Sequence, residues 1–156
     1  MNPLDTPLGF CSNFLFVPGT RPDRFAKALD SGATSVILDL EDAVAAEDKE
    51  TARNAIQVAW PSFTAEQKKR LIIRSNSPGS QFYSADLMLA QKLDLACLLI
   101  PKSESADEMN GAALVLPNTA LIPMIETAIG LDHLSEIANA NQVIRLALGN
   151  LDLQAD

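Results

Sequence analysis

Short β-rich apolar runs alternate with segments of helical periodicity along most of this chain. Six runs stand out: Asn13–Pro18, Ser35–Leu40, Leu71–Arg74, Leu95–Ile100, Ala120–Met124 and Val143–Leu148. They begin at residues 13, 35, 71, 95, 120 and 143, at intervals of 22, 36, 24, 25 and 23. Intervals of that size suit a strand, a loop, a helix and a second loop. The runs are nearly continuous in apolar residues, as expected of strands buried on both faces of a parallel sheet.

The segments between them read as helices. Ala52, Ala55, Ile56, Ala59 and Trp60 follow the i, i+3, i+4, i+7, i+8 pattern of one apolar stripe, and Pro61 closes it. After the first run, Pro22 suits a first helical turn, Phe25, Ala28 and Leu29 form the buried side, and Gly32 supplies the stop. Ser105 followed by Glu108 has the form of a capping box. Residues 1–12, with Pro3, Pro7 and Gly9, are expected to form an N-terminal arm, and 13–156 a single α/β unit.

Two architectures produce this alternation, an open doubly wound sheet and a closed (β/α)8 barrel, and both put function at the carboxyl ends of the strands. Every run here ends in a charged or special residue: Pro18-Gly19, Glu41-Asp42, Arg74 with Asn76, Pro101-Lys102, Glu126, and Gly149 with Asp152. Six consecutive strands feeding one rim predict a TIM barrel mouth, because an open sheet concentrates its site at one switch point. A complete barrel takes about 250 residues, so the reading is of the first six β/α units only.

Composition narrows the function classes. Twelve Lys and Arg against 20 Asp and Glu give a net charge of -8, and the densest basic run is Lys68-Lys69-Arg70. No nucleic-acid partner is expected from so little clustered positive charge. The uncharged stretch Gly111–Ile125 is interrupted by Pro117 and Asn118, so no membrane span is expected. The apolar run Phe10–Val17 has no basic residue before it, and Cys11 and Cys97 lack any CxxC pattern. Reduced thiols and a cytoplasmic location are the corresponding expectations.

The rim residues carry the candidate chemistry. Glu126 and Asp152 each follow a strand and would enter one mouth, a pair of oxygen ligands suited to Mg²⁺; alternatively Glu126 caps the amides that follow it. Arg74 would present a planar fork suited to a substrate carboxylate or developing oxyanion, or would form an ion pair with Glu41 or Asp42. The Asp39-Leu40-Glu41-Asp42 cluster suggests orientation of that arginine. Lys102 could serve as a Schiff-base lysine, although Glu104 would favour its charged form. His133, among Leu131, Leu134 and Ile137, reads as an outer-helix residue.

Several segments in order resemble one family. Phe14-Leu15-Phe16-Val17-Pro18-Gly19-Thr20-Arg21-Pro22-Asp23-Arg24-Phe25 and Val36-Ile37-Leu38-Asp39-Leu40-Glu41-Asp42-Ala43-Val44 resemble the opening of the citrate lyase beta subunit and malyl-CoA lyase family, within the HpcH/HpaI aldolase superfamily. Arg74-Ser75-Asn76, Ile100-Pro101-Lys102-Ser103-Glu104, Ile125-Glu126-Thr127-Ala128 and Gly149 through Asp156 are similar to its later motifs. The resemblance implies a Mg²⁺-dependent carbon-carbon lyase that cleaves a 3-hydroxyacyl-CoA into an acyl-CoA and a 2-oxo acid, on a barrel assembled as trimers or hexamers. It implies Glu126 and Asp152 as metal ligands, Arg74 as the holder of the oxo acid, and Phe16, Arg21 and Lys27 as contacts to the CoA-bearing substrate. Glu41, Asp42, Asn76 and Lys102 would support that shell.

This sequence departs from the family's pattern at Leu151, where many relatives carry Glu, and the family continues through two further strands and a C-terminal segment that, in several members, covers a neighbouring subunit's site and supplies an acid. Two alternatives therefore stand beside the lyase: a CoA-independent 4-hydroxy-2-oxo-acid aldolase of the same superfamily, and a truncated, non-catalytic acyl-thioester-binding member. A receiver-type signalling module fits less well. Its acidic pair follows the first strand, whereas here the pair follows the second.

Overall fold

The computed structural model describes residues 12–149. The expected arm, Cys11, Leu151 and Asp152 lie outside the described residues, apart from Ser12. Six strands form one parallel sheet: β1 (Phe14–Pro18), β2 (Ser35–Asp39), β3 (Leu71–Arg74), β4 (Cys97–Ile100), β5 (Ala120–Ile125) and β6 (Ala147–Leu148). Their spatial order is their sequence order, β1-β2-β3-β4-β5-β6. A doubly wound sheet reverses order at its switch point, and none occurs here. Every crossover steps the same way, so the sheet curls into a half-barrel of the TIM type.

The helices are α1 (Pro22–Leu29), α2 (Lys49–Ala59), α3 (Ala65–Lys68), α4 (Tyr83–Lys92), α5 (Ala106–Val115), α6 (Ala128–Asp132) and α7 (Leu134–Ala138). In α1 the buried residues are Phe25, Ala28 and Leu29, and Gly32 takes the positive φ of 87° expected of a stop. The long interval between β2 and β3 holds α2, a 3₁₀ turn at Trp60–Ser62 that contains Pro61, and α3. The capping box on α5 forms as expected, with Ser105 Oγ accepting from the Glu108 N–H and the Glu108 carboxylate accepting from the Ser105 N–H.

Alternation along each strand divides the core in two. Val36, Leu38, Leu71, Ile73, Leu98, Ile100 and Leu121 pack outward against the helices, while Ile37, Ile72, Cys97, Leu99 and Ile122 form a second cluster inside the curl. Both clusters are apolar, which is why the runs show no polar alternation.

Only β3 has the expected bounds; β1 and β2 are each one residue shorter, without Asn13 and Leu40, and the other three differ for reasons in the backbone. The Leu95 N–H donates to the Ala90 carbonyl and closes α4, so β4 starts at Cys97. β5 extends to Ile125. The sixth run pairs at Val143 through a single bridge to Leu121, and as a strand only at Ala147–Leu148. The backbone of Leu121 bonds toward this last strand, and Pro123 has the same parity but no N–H to give. The ladder is interrupted there and resumes at Met124–Ile125. His133 lies not within one outer helix but at the junction of α6 and α7, exposed, with Nδ1 2.8 Å from the Glu104 carbonyl.

Candidate functional site

The carboxyl ends of β2 to β5 converge on a charged rim. Register pairs Asp39 with Arg74 across β2 and β3, and both have the parity of the interior face. Arg74 Nε and Nη2 donate to Asp39 Oδ1 and Oδ2 at 2.7 and 2.6 Å, a bidentate fork. Asp39 is 1% exposed and also accepts the backbone N–H groups of Glu41 and Ala43. Glu41 Oε2 lies 3.1 Å from Arg74 Nη1, and Asp42 stands at 3.6 Å. Burial opposes the charge on Arg74, but the Asp39 hydrogen bonds and the surrounding carboxylates outweigh it and move its pKa upward.

The ion pair with Glu41 and Asp42 considered from sequence is therefore present, but the principal partner is Asp39. Its signal was the two-residue alternation that puts Asp39 on the same face as Ile37. Phe16 completes the surroundings, with the Arg74 guanidinium 5.0 Å from its ring centroid.

Lys102 links this group to Glu126. It has a positive φ of 48°, its N–H donates to Glu126 Oε2 at 3.0 Å, and its ammonium donates to Glu41 Oε1 at 2.6 Å. Burial works against its charge, yet the hydrogen bond to Glu41 prevails and its pKa is raised. The group that keeps Lys102 charged is Glu41 rather than Glu104, whose N–H instead donates to Glu108. A lysine held as an ammonium is a poor nucleophile, so the Schiff-base role loses its support.

Glu126 is 4% exposed. The cap of the following helix is Thr127, whose hydroxyl accepts the Gly130 N–H. Gly149 packs against Glu126 so closely that a Cβ there would come within 2.5 Å of its Cγ and Oε1. The φ of Gly149 is outside the left-handed region, so glycine is required for close approach alone. Asn76 is fixed by Asp86, a buried residue that sequence reasoning missed: Oδ2 accepts both the Asn76 N–H and its side-chain amide, each at 2.7 Å. Among the described residues no three His, Cys, Asp or Glu side chains form a metal-holding group by themselves. Asp152, the second expected ligand, is outside them.

Two concavities meet at Phe16. One, of about 340 Å³, is the curl's interior and includes Phe14, Phe16, Leu99, Ile122 and Met124. The other, of about 490 Å³, includes Phe16, Arg21, Arg24 and Lys27. The three residues expected to contact a CoA-bearing substrate thus share one groove. Within it Arg21 is paired with Asp23 at 2.9 and 2.7 Å, and Asp23 is drawn down to a pKa of about 2 by that bond.

A singly wound parallel sheet with buried carboxylates and an anchored arginine on its carboxyl rim defines a protein of the (β/α)8 type, here a half-barrel with a charged rim. Residues 13–156 match the HpcH/HpaI aldolase/citrate lyase family, and the chain belongs to it. A citrate lyase subunit beta-like protein of Mycobacterium tuberculosis is 36% identical over 142 residues, which cover 91% of this chain and 48% of that protein. A (3S)-malyl-CoA thioesterase of Cereibacter sphaeroides is 32% identical over 140 residues, with 89% and 48% covered. The citrate lyase beta subunit of M. tuberculosis, solved with oxaloacetate and magnesium, superposes with a TM-score of 0.80 at 34% identity over 95% of this chain and 62% of that one. The CitE protein of the same organism, with magnesium, acetoacetate and coenzyme A, gives 0.81 at 34% identity over 94% and 52%. The chain spans about half the length of the curated relatives it matches.

Proposed function

We propose that this chain carries the oxo-acid and metal site of a Mg²⁺-dependent lyase that cleaves a 3-hydroxyacyl-CoA into an acyl-CoA and a 2-oxo acid. The observation that carries the reading is the Asp39-anchored Arg74, joined through Glu41 and Lys102 to the buried Glu126 on one rim. The donor chemistry fits a divalent cation. Asp39, Glu41, Asp42 and Glu126 set four carboxylates against three cations, Arg74 and Lys102 on the rim and Lys49 behind the turn after β2. An anionic substrate entering that excess of negative charge needs a further cation, and hard oxygen ligands favour Mg²⁺.

Glu126, with Asp152, would hold the metal. When bound, Mg²⁺ supplies a Lewis acid that polarises the carbonyl formed on cleavage. Arg74 donates to the oxo acid and offsets charge on its oxygen, and its fork is already set by Asp39, so little reorganisation is required. The substrate hydroxyl gives its proton to water as the carbonyl forms, the carbon-carbon bond pair leaves on the thioester fragment as an enolate, and the enolate carbon takes a proton from water to give the acyl-CoA. Arg21 and Lys27 answer the phosphates of CoA, with Arg21 exchanging Asp23 for phosphate. A CoA-independent aldolase needs no such distant contact.

Calorimetric titration with oxaloacetate, glyoxylate and pyruvate, each with and without Mg²⁺, tests the site. Binding that requires Mg²⁺ and disappears in Asp152→Ala is expected; heat in neither condition would remove the assignment. Thioester hydrolysis is a second reading, supported by the relatives named as malyl-CoA thioesterases. Malyl-CoA turnover separates the two, since a lyase yields glyoxylate without free thiol and a hydrolase yields thiol without glyoxylate.

A further inference from the structure

Helix α2 carries two cations one turn apart, Lys49 and Arg53, in positions that do little for the helix itself. Lys49 is the first residue of α2, where the helix dipole disfavours a positive charge. It is also buried, and burial pulls its pKa down despite the fields of Asp39, Asp86, Glu41 and Asp42. A residue that is locally unfavourable on two counts is accounted for by a contact elsewhere. That contact is the acidic turn after β2: the Lys49 ammonium donates to the carbonyls of Leu40 and Glu41, both at 2.7 Å. The same turn presents the Asp39 carboxylate to Arg74 and folds its own Glu41 and Ala43 N–H groups back onto it.

Arg53 serves the loop on the other side. Its Nη1 donates to Asp86 Oδ1 at 2.9 Å, and the fully buried Asp86 holds Asn76 by main chain and side chain together. One face of α2 therefore reaches the turn that follows β2 directly and, through Asp86 of α4, the loop that follows β3, and Arg74 is the residue at which the two meet.

We propose that Lys49 and Arg53 are positioning residues that fix the main chain on either side of Arg74 from the helix layer and so set the aim of its guanidinium. Their hydrogen bonds go to the carbonyls of the turn after β2 and to Asp86 of α4, so Lys49 acts through that turn and Arg53 acts through Asp86 on Asn76.

Amide hydrogen exchange on the full chain reads this locally. In Lys49→Met the amides of Glu41 and Ala43 exchange about tenfold faster while that of Asn76 is unchanged; in Arg53→Met the pattern is reversed. Lys49→Arg, which keeps donors for both carbonyls, restores protection. Unchanged exchange at these three amides, or a uniform rise across α2 and the sheet, overturns the proposal. If Lys49→Met does not fold, Arg53→Met, whose guanidinium is partly exposed, decides the matter at Asn76. A binding arm rests on the lyase reading: folded variants bind oxaloacetate with Mg²⁺ about tenfold more weakly, with CoA affinity unchanged. Equal oxaloacetate affinity overturns the positioning role. Wild-type protein that binds no oxaloacetate overturns the lyase reading instead, and the exchange pattern then decides this inference by itself.

Discussion

At the scale of single residues, the rim is a set of charges whose partners determine their state. Glu41 shows this most directly: burial pushes its pKa above the ordinary glutamate value of 4.5, while the hydrogen bond from Lys102 and the charge of Arg74 pull it back. A carboxylate with a raised native pKa contributes stability that is fully present below the unfolded value and is lost as pH rises through the native one. Lys102→Met removes the stronger of the two lowering influences, so the Glu41 carboxyl should titrate at higher pH than in the wild type, and its share of the stability loss should move upward with it. Side-chain carboxyl NMR through a pH series measures this; a Glu41 titration that stays put or moves down would show that Lys102 does not hold Glu41 ionised. Arg74, Glu126, Lys102 and the Glu41-Asp42 pair were legible as rim residues because each follows an apolar run. Asp39 was visible only as part of an acidic cluster, and Lys49, Arg53 and Asp86 were not visible at all. Nothing in a helix sequence states that an ammonium or a guanidinium turns inward toward loops from other units.

At the scale of elements, the chain's local signals were sound where they rest on local chemistry. The stripe Phe25, Ala28 and Leu29, the stop at Gly32 and the box Ser105–Glu108 all depend on residues within a turn or so of one another. The α5 box satisfies donors at both ends of its first turn, so Ser105→Ala should lower stability by about 1 kcal/mol, read as a shift in the urea midpoint at unchanged slope. An unshifted midpoint would mean that α5 is held by packing alone. Expectation failed where a partner strand decides. Val143–Leu148 has the composition of a full strand, but Pro123 on β5 cannot donate at the matching position, so pairing breaks in two. Leu95 likewise belongs by composition to β4 and by hydrogen bonding to the end of α4.

Over the whole molecule, the described half-barrel leaves β1 and β6 each with one side that no other described strand covers. Apolar residues lie at both, with Leu15 38%, Phe16 42% and Leu148 64% exposed. Unpaired strand edges with apolar side chains are templates for association, so we expect this chain to form a homo-oligomer, a trimer or hexamer in the reading taken from its family resemblance. Sedimentation velocity over a range of concentrations should show a rising weight-average mass; one monomeric boundary throughout would contradict it. No helix among the described residues is long and apolar enough to cross a membrane. Six strands with helices between them, and the rim that follows those strands, were legible in residue order alone, because apolar periodicity and strand-end polarity are properties of consecutive residues. Which carboxylate grips Arg74, which backbone N–H meets Glu126 and where the last strand pairs emerged only from the folded arrangement. Those contacts join residues from different units, and their geometry is set by register, parity and the curl of the sheet rather than by any stretch of neighbouring residues.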